Sequence, residues 1–181
     1  MRHANWFGSK GGLVGENNKS DDAPKSTAKD THPARVISSH AVTINCATDE
    51  VYGFFRDLTK APLYMSDVER VEVIGSRSHW IGKHGEWDSE ITEDIVGQEI
   101  TWQAEESAGR ATFDEVPGRG TVLTLTMAYE QSFIAKLVGK MLQTDPAIQS
   151  RRNLRRLKQL LETGEIATSA RNQRMLTGEN R

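Results

Sequence analysis

Between Asp145 and Gly164, apolar residues recur with the period of an α-helix. Asp145 followed by Pro146 is typical of a helix start, because the carboxylate can accept from the free N–H groups of the first turn and proline has no N–H to lose. Gly164 can adopt the left-handed conformation that ends a helix. Burying each large apolar side chain stabilises by roughly 1.5–3 kcal/mol, so this helix needs a partner surface. Its apolar stripe consists of Ala147, Leu154, Leu157 and Leu161, with Ile148 and Leu160 at the margins.

The partner surface is predicted from Val68 to Glu130, where apolar and polar residues alternate with a period of two. Turns at Lys83–Gly85, Gly97 and Pro117–Gly118 divide this stretch into strands. The pattern predicts an antiparallel meander with one apolar face and one solvated face. The predicted inward residues are Val71, Val73, Trp80, Trp87, Ser89, Ile91, Ile100, Trp102, Ala104, Phe113, Leu123, Leu125, Met127 and Tyr129.

Shorter elements precede and follow this meander. Alternation after Arg35 predicts a first strand, and Thr48 is a suitable N-cap for a short amphipathic helix. Pro62 limits that helix, and residues 63–65 are predicted to form a second helical turn. Residues 133–142 have an apolar helical face and are interpreted as a lead-in to the long helix. The apolar face of the first short helix consists of Val51, Phe54, Phe55 and Leu58.

This order of elements predicts an α+β fold of the helix-grip type. In such a fold a curved antiparallel sheet, here of about six to seven strands, wraps around a long C-terminal helix, and two short helices follow the first strand. The folded domain is predicted to span residues 35–166. Residues 1–34 show neither period and are predicted to be a disordered leader, and residues 167–181 a flexible tail. A hydrophobic content of 36% and a mean hydropathy of −0.57 agree with unfolded segments.

Charge is divided unevenly along the chain. Residues 35–130 hold eight Lys/Arg and seventeen Asp/Glu, whereas residues 131–181 hold ten and four. Opposite its apolar stripe the long helix carries Arg152, Arg155 and Arg156, which we interpret as a solvated face attracted to the acidic sheet. The alternative is a surface that docks on an acidic partner or an anionic membrane. No aromatic residue lies among these arginines, so a nucleic acid is not an expected partner.

The cysteine content and hydropathy indicate a cytoplasmic protein. Cys46 is the single cysteine, which excludes an internal disulfide and fits a reducing compartment. No apolar run approaches the roughly 20 residues that a membrane-spanning helix needs.

Four segments in the same order carry a family resemblance. VTINCATDEVYGFFRDLTKAPLYM, VERVEVIGSRSHW, EWDSEITEDIVGQEITW and NLRRLKQLLETGEI resemble the bacterial polyketide cyclase/dehydrase-type members of the START-like (SRPBCC) superfamily, to which the coenzyme Q-binding START-domain proteins also belong. The resemblance covers residues 35–166. It implies a deep hydrophobic cavity between sheet and helix for lipids, quinones or polyketides. The hairpin between Trp80 and Trp87 and the loop between Trp102 and Phe113 are shorter than in the family, at strand ends where a cavity mouth would lie.

The inward residues are therefore candidates for a cavity wall. His40 shares a strand face with Val42 and Ile44, and can orient a ligand carbonyl, shuttle a proton, or be an ordinary satisfied histidine. Arg151 and Lys158 lie nearest the apolar stripe among the basic residues of the helix. Each can present a cation to a ligand head group or extend along the sheet edge into water. The cavity candidates are His40, Trp80, Trp87, Ser89, Trp102, Phe113, Leu125, Met127, Tyr129, Leu154 and Leu157.

No catalytic, cofactor or metal motif stands out. The chain has no GxSxG, no HExxH and no glycine-rich phosphate loop. Glu86, Asp88 and Glu90 alternate with inward residues, so we interpret the acidic stretch that ends at Glu93 and Asp94 as a solvated strand face. We therefore expect no cofactor, no bound metal and a protein that binds a small hydrophobic ligand as carrier, chaperone or sensor. A polyketide cyclase or aromatase that uses His40, Ser89 or Tyr129 is the enzymatic alternative.

Overall fold

A computed structural model of the protein describes residues 35–132 and 145–165. The predicted leader (1–34), the apolar segment 133–142 and the predicted tail (167–181) lie outside the described residues. The two described ranges contain the predicted sheet, both short helices and the long helix.

Seven antiparallel strands form one sheet in the order β1-β7-β6-β5-β4-β3-β2. The six strands from β2 onwards are consecutive neighbours, as expected for a meander, and β1 closes the far edge beside β7. The α+β helix-grip prediction, with six to seven strands, is confirmed. The bounds are β1 Arg35–Ile44, β2 Val68–Ile74, β3 Arg77–Gly82, β4 Gly85–Ile95, β5 Glu99–Ala104, β6 Ser107–Val116 and β7 Gly120–Glu130.

Two short helices follow β1: α1 (Thr48–Arg56) and α2 (Ala61–Tyr64), separated by a 3-10 turn at Leu58–Lys60. The prediction that Thr48 caps α1 is wrong. The capping position is Ala47, which makes no side-chain hydrogen bond, and Thr48 is the first helical residue. The Thr48 hydroxyl instead lies 3.1 Å from that of Thr121 on β7, so this side chain joins the helix to the sheet.

The long helix α3 (Pro146–Thr163) begins and ends as predicted. Oδ1 of Asp145 accepts from the N–H of Ala147 at 2.9 Å. Gly164 has a φ of 73° and donates its N–H to the carbonyl of Leu160 at 2.8 Å. Leu154 and Leu157 are 3% and 0% exposed, so the predicted stripe is the buried face.

Polar contacts fix the C-terminal half of α3 to the end of β1. The ammonium of Lys158 donates to the carbonyl of Thr43 and lies 3.2 Å from Glu162. Glu162 in turn accepts from the backbone N–H of Asn45 at 2.7 Å. Lys158 is therefore engaged with the edge of the sheet, which removes it from the two candidate head-group cations.

A bulge in β4 changes the face of one acidic residue. Glu86 and Asp88 are exposed and lie beside His79 on the outer face, as the alternation predicted. The register shifts between Ile91 and Glu93, and Asp94 comes to lie opposite Ile100. Asp94 there accepts from the Tyr52 hydroxyl at 2.5 Å and from Nε of Arg56 at 2.6 Å. Asp94 is exposed, as the solvated interpretation predicted, and it also holds α1 against the sheet, which the sequence did not predict.

Two residues that the sequence predicted to face inward, Val73 and Trp87, are each 40% exposed near strand ends. Val73 lies near the end of edge strand β2 and is 40% exposed, whereas Val71 is 6% exposed. Ile44, Ile100 and Leu123, toward the opposite end of the concave face, are at most 1% exposed. The filled core therefore lies under α1 and the C-terminal half of α3.

The indole of Trp102 lies flat across Gly109 on the neighbouring strand. A Cβ placed on Gly109 would be 2.0 Å from Cζ2 of Trp102, a distance that no side chain can occupy without displacing the ring. Trp102 also contacts Phe55 of α1, with ring centroids 6.1 Å apart. Gly109 thus sets how closely the Trp102 ring approaches the sheet.

We expect Gly109→Ala to lower the free energy of unfolding by about 1–3 kcal/mol, because the added methyl group pushes the Trp102 ring off the strand. Gly53→Ala is the matched control. Gly53 lies in helix α1 with no atom within 4 Å of its added Cβ, so the same substitution should stabilise by up to about 1 kcal/mol. Urea unfolding followed by tryptophan fluorescence measures both; equal effects of the two variants would contradict this account of Gly109.

Candidate functional site

The cross-strand register places the nine strand residues among the predicted cavity candidates on one face of the sheet, the concave one. Leu154 and Leu157 of α3 cover this face from the other side. The candidates differ in exposure. His40, Ser89, Phe113 and Tyr129 are each at most 9% exposed, and Trp87 is 40% exposed at the outer end. Trp80, Trp102, Leu125 and Met127 are half-buried.

Short side chains follow one another across part of the concave face. Ser78 lies opposite Ser89, which lies opposite Ala104, and Ser107 lies opposite Tyr129. The large side chains of Ile100, Phe113 and Leu123 fill the sheet nearer the other end of its strands. This row is therefore the part of the concave face with the shortest side chains.

Ser78, Trp80 and Ser89 form a closed polar cluster in this region. Nε1 of Trp80 donates to both serine hydroxyls at 2.9 Å, and the hydroxyls are 2.9 Å from each other. The ring of Trp87 stacks on Trp80 with centroids 5.6 Å apart. Ser89 is thus occupied in holding an indole, and does not support the sequence-based suggestion that it takes part in catalysis.

His40 and Ser38 form a second, open polar region under the first turns of α3. His40 is 8% exposed and Ser38 9% exposed, and neither Nε2 of the imidazole nor Oγ of the serine has a hydrogen-bond partner within the described ranges. Burial lowers the pKa of His40 and the nearby Arg151 charge lowers it further, against smaller opposing effects of Asp145 and the Ala147 carbonyl. The buried imidazole is therefore neutral at neutral pH.

The tautomer of His40 follows from its single backbone contact. The Ala147 carbonyl raises the pKa as an acceptor of a ring N–H, and because Nε2 has no partner among the described residues, we assign the proton to Nδ1. A neutral imidazole with its proton on Nδ1 presents Nε2 as an acceptor. His40 is therefore suited to a ligand hydroxyl rather than to the ligand carbonyl that the sequence suggested.

Tyr129 approaches the same end of α3. Its hydroxyl hydrogen bonds with the side chain of Ser150, and burial raises its pKa. Ser150 also donates to the Pro146 carbonyl at 2.9 Å. Arg151 adjoins His40 and has an enclosed Nε with no partner among the described residues. The first two turns of α3 thus bring His40, Tyr129 and Arg151 together, while Ser89 remains in a different cluster.

A polar cleft of about 450 Å³ lies on the outer flank of α3, where the sequence predicted a solvated face. The helical spacing of its arginines was visible in the sequence. Its other walls come from the loop before β2 and from the β3–β4 turn, which lie far away along the chain. A pattern within a few residues of sequence cannot predict contacts between such distant segments. The cleft is lined by Ser66, Asp67, His84, Gln149, Arg152, Arg155 and Arg156.

The two described ranges contain no group of three or more His, Cys, Asp or Glu side chains that could hold a metal ion. Within the same ranges, no helix is long and apolar enough to cross a membrane.

The arrangement of a curved seven-stranded sheet around a C-terminal helix defines a helix-grip protein. The family model described as "Polyketide cyclase / dehydrase and lipid transport" matches residues 44–158. This match covers more than half of the chain and includes α1, most of the sheet and most of α3. The chain therefore belongs to this family, as the sequence resemblance indicated.

Individual relatives agree with this assignment. An uncharacterised 17.2 kDa protein of Streptomyces lincolnensis is 28% identical over 131 residues, which cover 67% of this chain and 87% of that protein. The crystal structure of DR_A0006 from Deinococcus radiodurans is 29% identical with a TM-score of 0.55, covering 71% of this chain and 99% of that one. The Zhui aromatase/cyclase from Streptomyces sp. R1128 has the same fold at 12% identity, with a TM-score of 0.55 and coverage of 72% and 98%.

The lowered pKa of His40 predicts a specific dependence of stability on pH. An exposed histidine has a pKa of about 6.5, so the unfolded chain takes up a proton below that pH while folded His40 does not. The free energy of unfolding should therefore fall as the pH falls from 7.5 towards the folded pKa. In His40→Gln this contribution disappears, and urea titrations at several values between pH 7.5 and 5.5 should give a shallower decline.

His79 provides a control of opposite sign. Its hydrogen bond with Asp88 raises its pKa, so its stabilising contribution is complete below about pH 6.5 and is lost as the pH rises through the folded pKa. His79→Gln should therefore make the decline on acidification steeper. A His40→Gln protein with the wild-type slope would contradict a buried neutral imidazole.

Proposed function

We propose that the protein binds a small hydrophobic ligand between the concave face of the sheet and α3, as a carrier, chaperone or sensor. The observation that carries the proposal is that Nε2 of His40, on a residue 8% exposed beneath the helix, has no hydrogen-bond partner among residues 35–132 and 145–165. More than nine in ten buried polar groups in proteins have a partner, because an unpaired one loses its hydration without compensation. A ligand hydroxyl is the partner that this acceptor lacks.

The surroundings of His40 suit the apolar part of such a ligand. Leu125 lies directly opposite His40, and Met127 opposite Ser38. The indole of Trp102, flat over Gly109, continues this wall towards the row of small side chains. A pocket with mostly apolar walls and a few placed polar groups is the usual form of a small-molecule site. The lipid-transport part of the family description also supports this function.

A ligand that occupies this site should be retained during purification. Native mass spectrometry of the freshly purified protein is expected to show an additional non-covalent mass, which organic extraction releases. Isothermal titration with 1-oleoylglycerol, which has a hydroxyl-bearing head and a long apolar chain, should give saturable binding that weakens in His40→Ala. Absence of both a co-purifying ligand and binding of 1-oleoylglycerol, fatty acids or quinones would contradict the proposal.

Leu154→Trp separates a ligand cavity from a filled core. Leu154 is 3% exposed in the middle of the buried stripe of α3. If space remains beside it, the indole enters that space, leaves the unfolding midpoint close to wild type and lowers 1-oleoylglycerol affinity at least tenfold. In a filled core the larger side chain should cost about 1–3 kcal/mol or more.

Leu63→Trp is the matched control for this experiment, because Leu63 on α2 is 52% exposed and the same substitution there should change neither stability nor binding. A Leu154→Trp protein that fails to fold, beside a normal Leu63→Trp protein, would argue for the filled core.

A polyketide cyclase or aromatase remains a second candidate, favoured by the convergence of His40 and Tyr129 on the first turns of α3. In that reaction a neutral His40 would take the α-proton of a β-hydroxyketone and, as imidazolium, return it to the departing hydroxyl group, which would leave as water while the double bond forms. Turnover of a synthetic poly-β-ketone that His40→Ala and Tyr129→Phe each reduce at least a hundredfold would support the enzyme. No turnover by a protein that binds the compound would exclude it.

A further inference from the structure

The arginine cleft, lined by Ser66, Asp67, His84, Gln149, Arg152, Arg155 and Arg156, has an excess of positive charge. Three guanidinium groups face one carboxylate, and Oδ2 of that carboxylate, on Asp67, already accepts from Nε2 of Gln149 at 2.6 Å. Arg152 is exposed and makes no ion pair within residues 35–132 and 145–165. The Nε of Arg156 is enclosed and has no partner in those ranges. Within the described residues, the cleft therefore supplies no acceptor for Arg152 or for Nε of Arg156.

The shape of the cleft favours a compact anion over a broad protein surface. Its walls come from three separate parts of the chain: the loop before β2, the β3–β4 turn and α3. Guanidinium groups present forked pairs of N–H donors that match phosphate oxygens, and several of them around one concavity suit a group with three acceptor oxygens and up to two negative charges. A phosphate ester is the chemical group that satisfies this arrangement.

The position of Asn153 connects the cleft with the interior. Asn153 lies one helical turn from both Gln149 and Arg156, and one further turn leads to Leu157 on the buried stripe. It is 8% exposed, and its Oδ1 has no partner among the described residues. One flank of α3 therefore runs from the arginines through an unpaired amide to the apolar face.

From this geometry we infer that the ligand is a phosphate-bearing amphiphile, whose phosphate binds in the arginine cleft and whose apolar chain enters the space under α3. The inference rests on the proposed ligand-binding function and specifies its substrate class. It assigns to Arg152 and Arg156 the recognition of the head group.

Three related probes separate the contributions of head and tail. Lysophosphatidate (1-oleoyl) carries both a phosphate monoester and the apolar chain, 1-oleoylglycerol carries the same chain without phosphate, and glycerol 3-phosphate carries the phosphate without the chain. Each is titrated below its critical micelle concentration into wild type and into the Arg152→Gln/Arg156→Gln protein. Arg77→Gln is the control for loss of one positive charge, because Arg77 is 79% exposed on β3, away from the cleft.

Wild type is expected to bind lysophosphatidate at least tenfold more tightly than 1-oleoylglycerol. The double variant should lose roughly tenfold to a hundredfold of its affinity for lysophosphatidate, since a charged hydrogen bond contributes about that factor, and should bind 1-oleoylglycerol like wild type. Raising the salt concentration should weaken the binding of lysophosphatidate but not that of 1-oleoylglycerol. Arg77→Gln should behave as wild type, and equal unfolding midpoints for all variants should exclude a folding defect.

Several outcomes would overturn the inference, and they differ from failure of the proposed function. Equal affinity for lysophosphatidate and 1-oleoylglycerol, unaffected by the arginine substitutions, leaves ligand binding intact but removes the phosphate site. Binding of neither amphiphile removes the proposed function itself. Tight binding of glycerol 3-phosphate alone makes the cleft a site for small soluble phosphates. Arginine-dependent flotation with phosphatidylglycerol vesicles, without binding of soluble lysophosphatidate, makes it a membrane-docking surface.

Discussion

The attachment of α3 to the end of β1 is the constraint on which the site depends. Burial of Leu154 and Leu157, the contact of Lys158 with the Thr43 carbonyl, and the bond from Asn45 to Glu162 hold the C-terminal half of the helix against the sheet. The N-terminal half is attached separately, because Nε2 of Gln149 donates to Ser66 and Asp67 before β2 and the Ala147 carbonyl lies beside the His40 ring. Together the two attachments fix the position of the helix over the concave face.

The polar groups on the concave face are of two kinds: those that hydrogen bond with one another, and those that have no partner among the described residues. Ser78, Trp80 and Ser89 satisfy one another across two strands, so they add rigidity and leave no site for a ligand. Nε2 of His40, buried to a similar degree, has no partner in the part of the chain that the structure describes. Leaving such a group unpaired costs roughly 1–3 kcal/mol, and this cost is the support for the proposal that a ligand binds beneath α3. The same cost applies to the enclosed Nε of Arg156 in the arginine cleft.

The two sides of α3 thus have chemically different surroundings. The inner side of α3 faces an apolar wall with a neutral imidazole, and the outer flank faces a cleft with excess positive charge. A carrier for an amphiphile requires both. A cyclase requires the first alone, with a productive arrangement of His40 and Tyr129, and here the Tyr129 hydroxyl is engaged with Ser150. Because the Tyr129 hydroxyl already bonds with Ser150, we favour ligand binding over catalysis as the function.

Patterns within a few residues were enough to predict the strands, the capped helix from Pro146 to Thr163, the inward positions of the sheet and the helix-grip architecture, since helical and strand periods are local properties. Contacts between distant segments were not predictable in this way. A bulge near Thr92 turned Asp94 towards Tyr52, Thr48 found its partner in Thr121, and the arginines of α3 met His84 across a cleft. Each depends on sheet register or on helix placement, which are set by packing over the whole domain. His40 was a candidate from its strand face, but its missing hydrogen bond became visible once the helix lay above it.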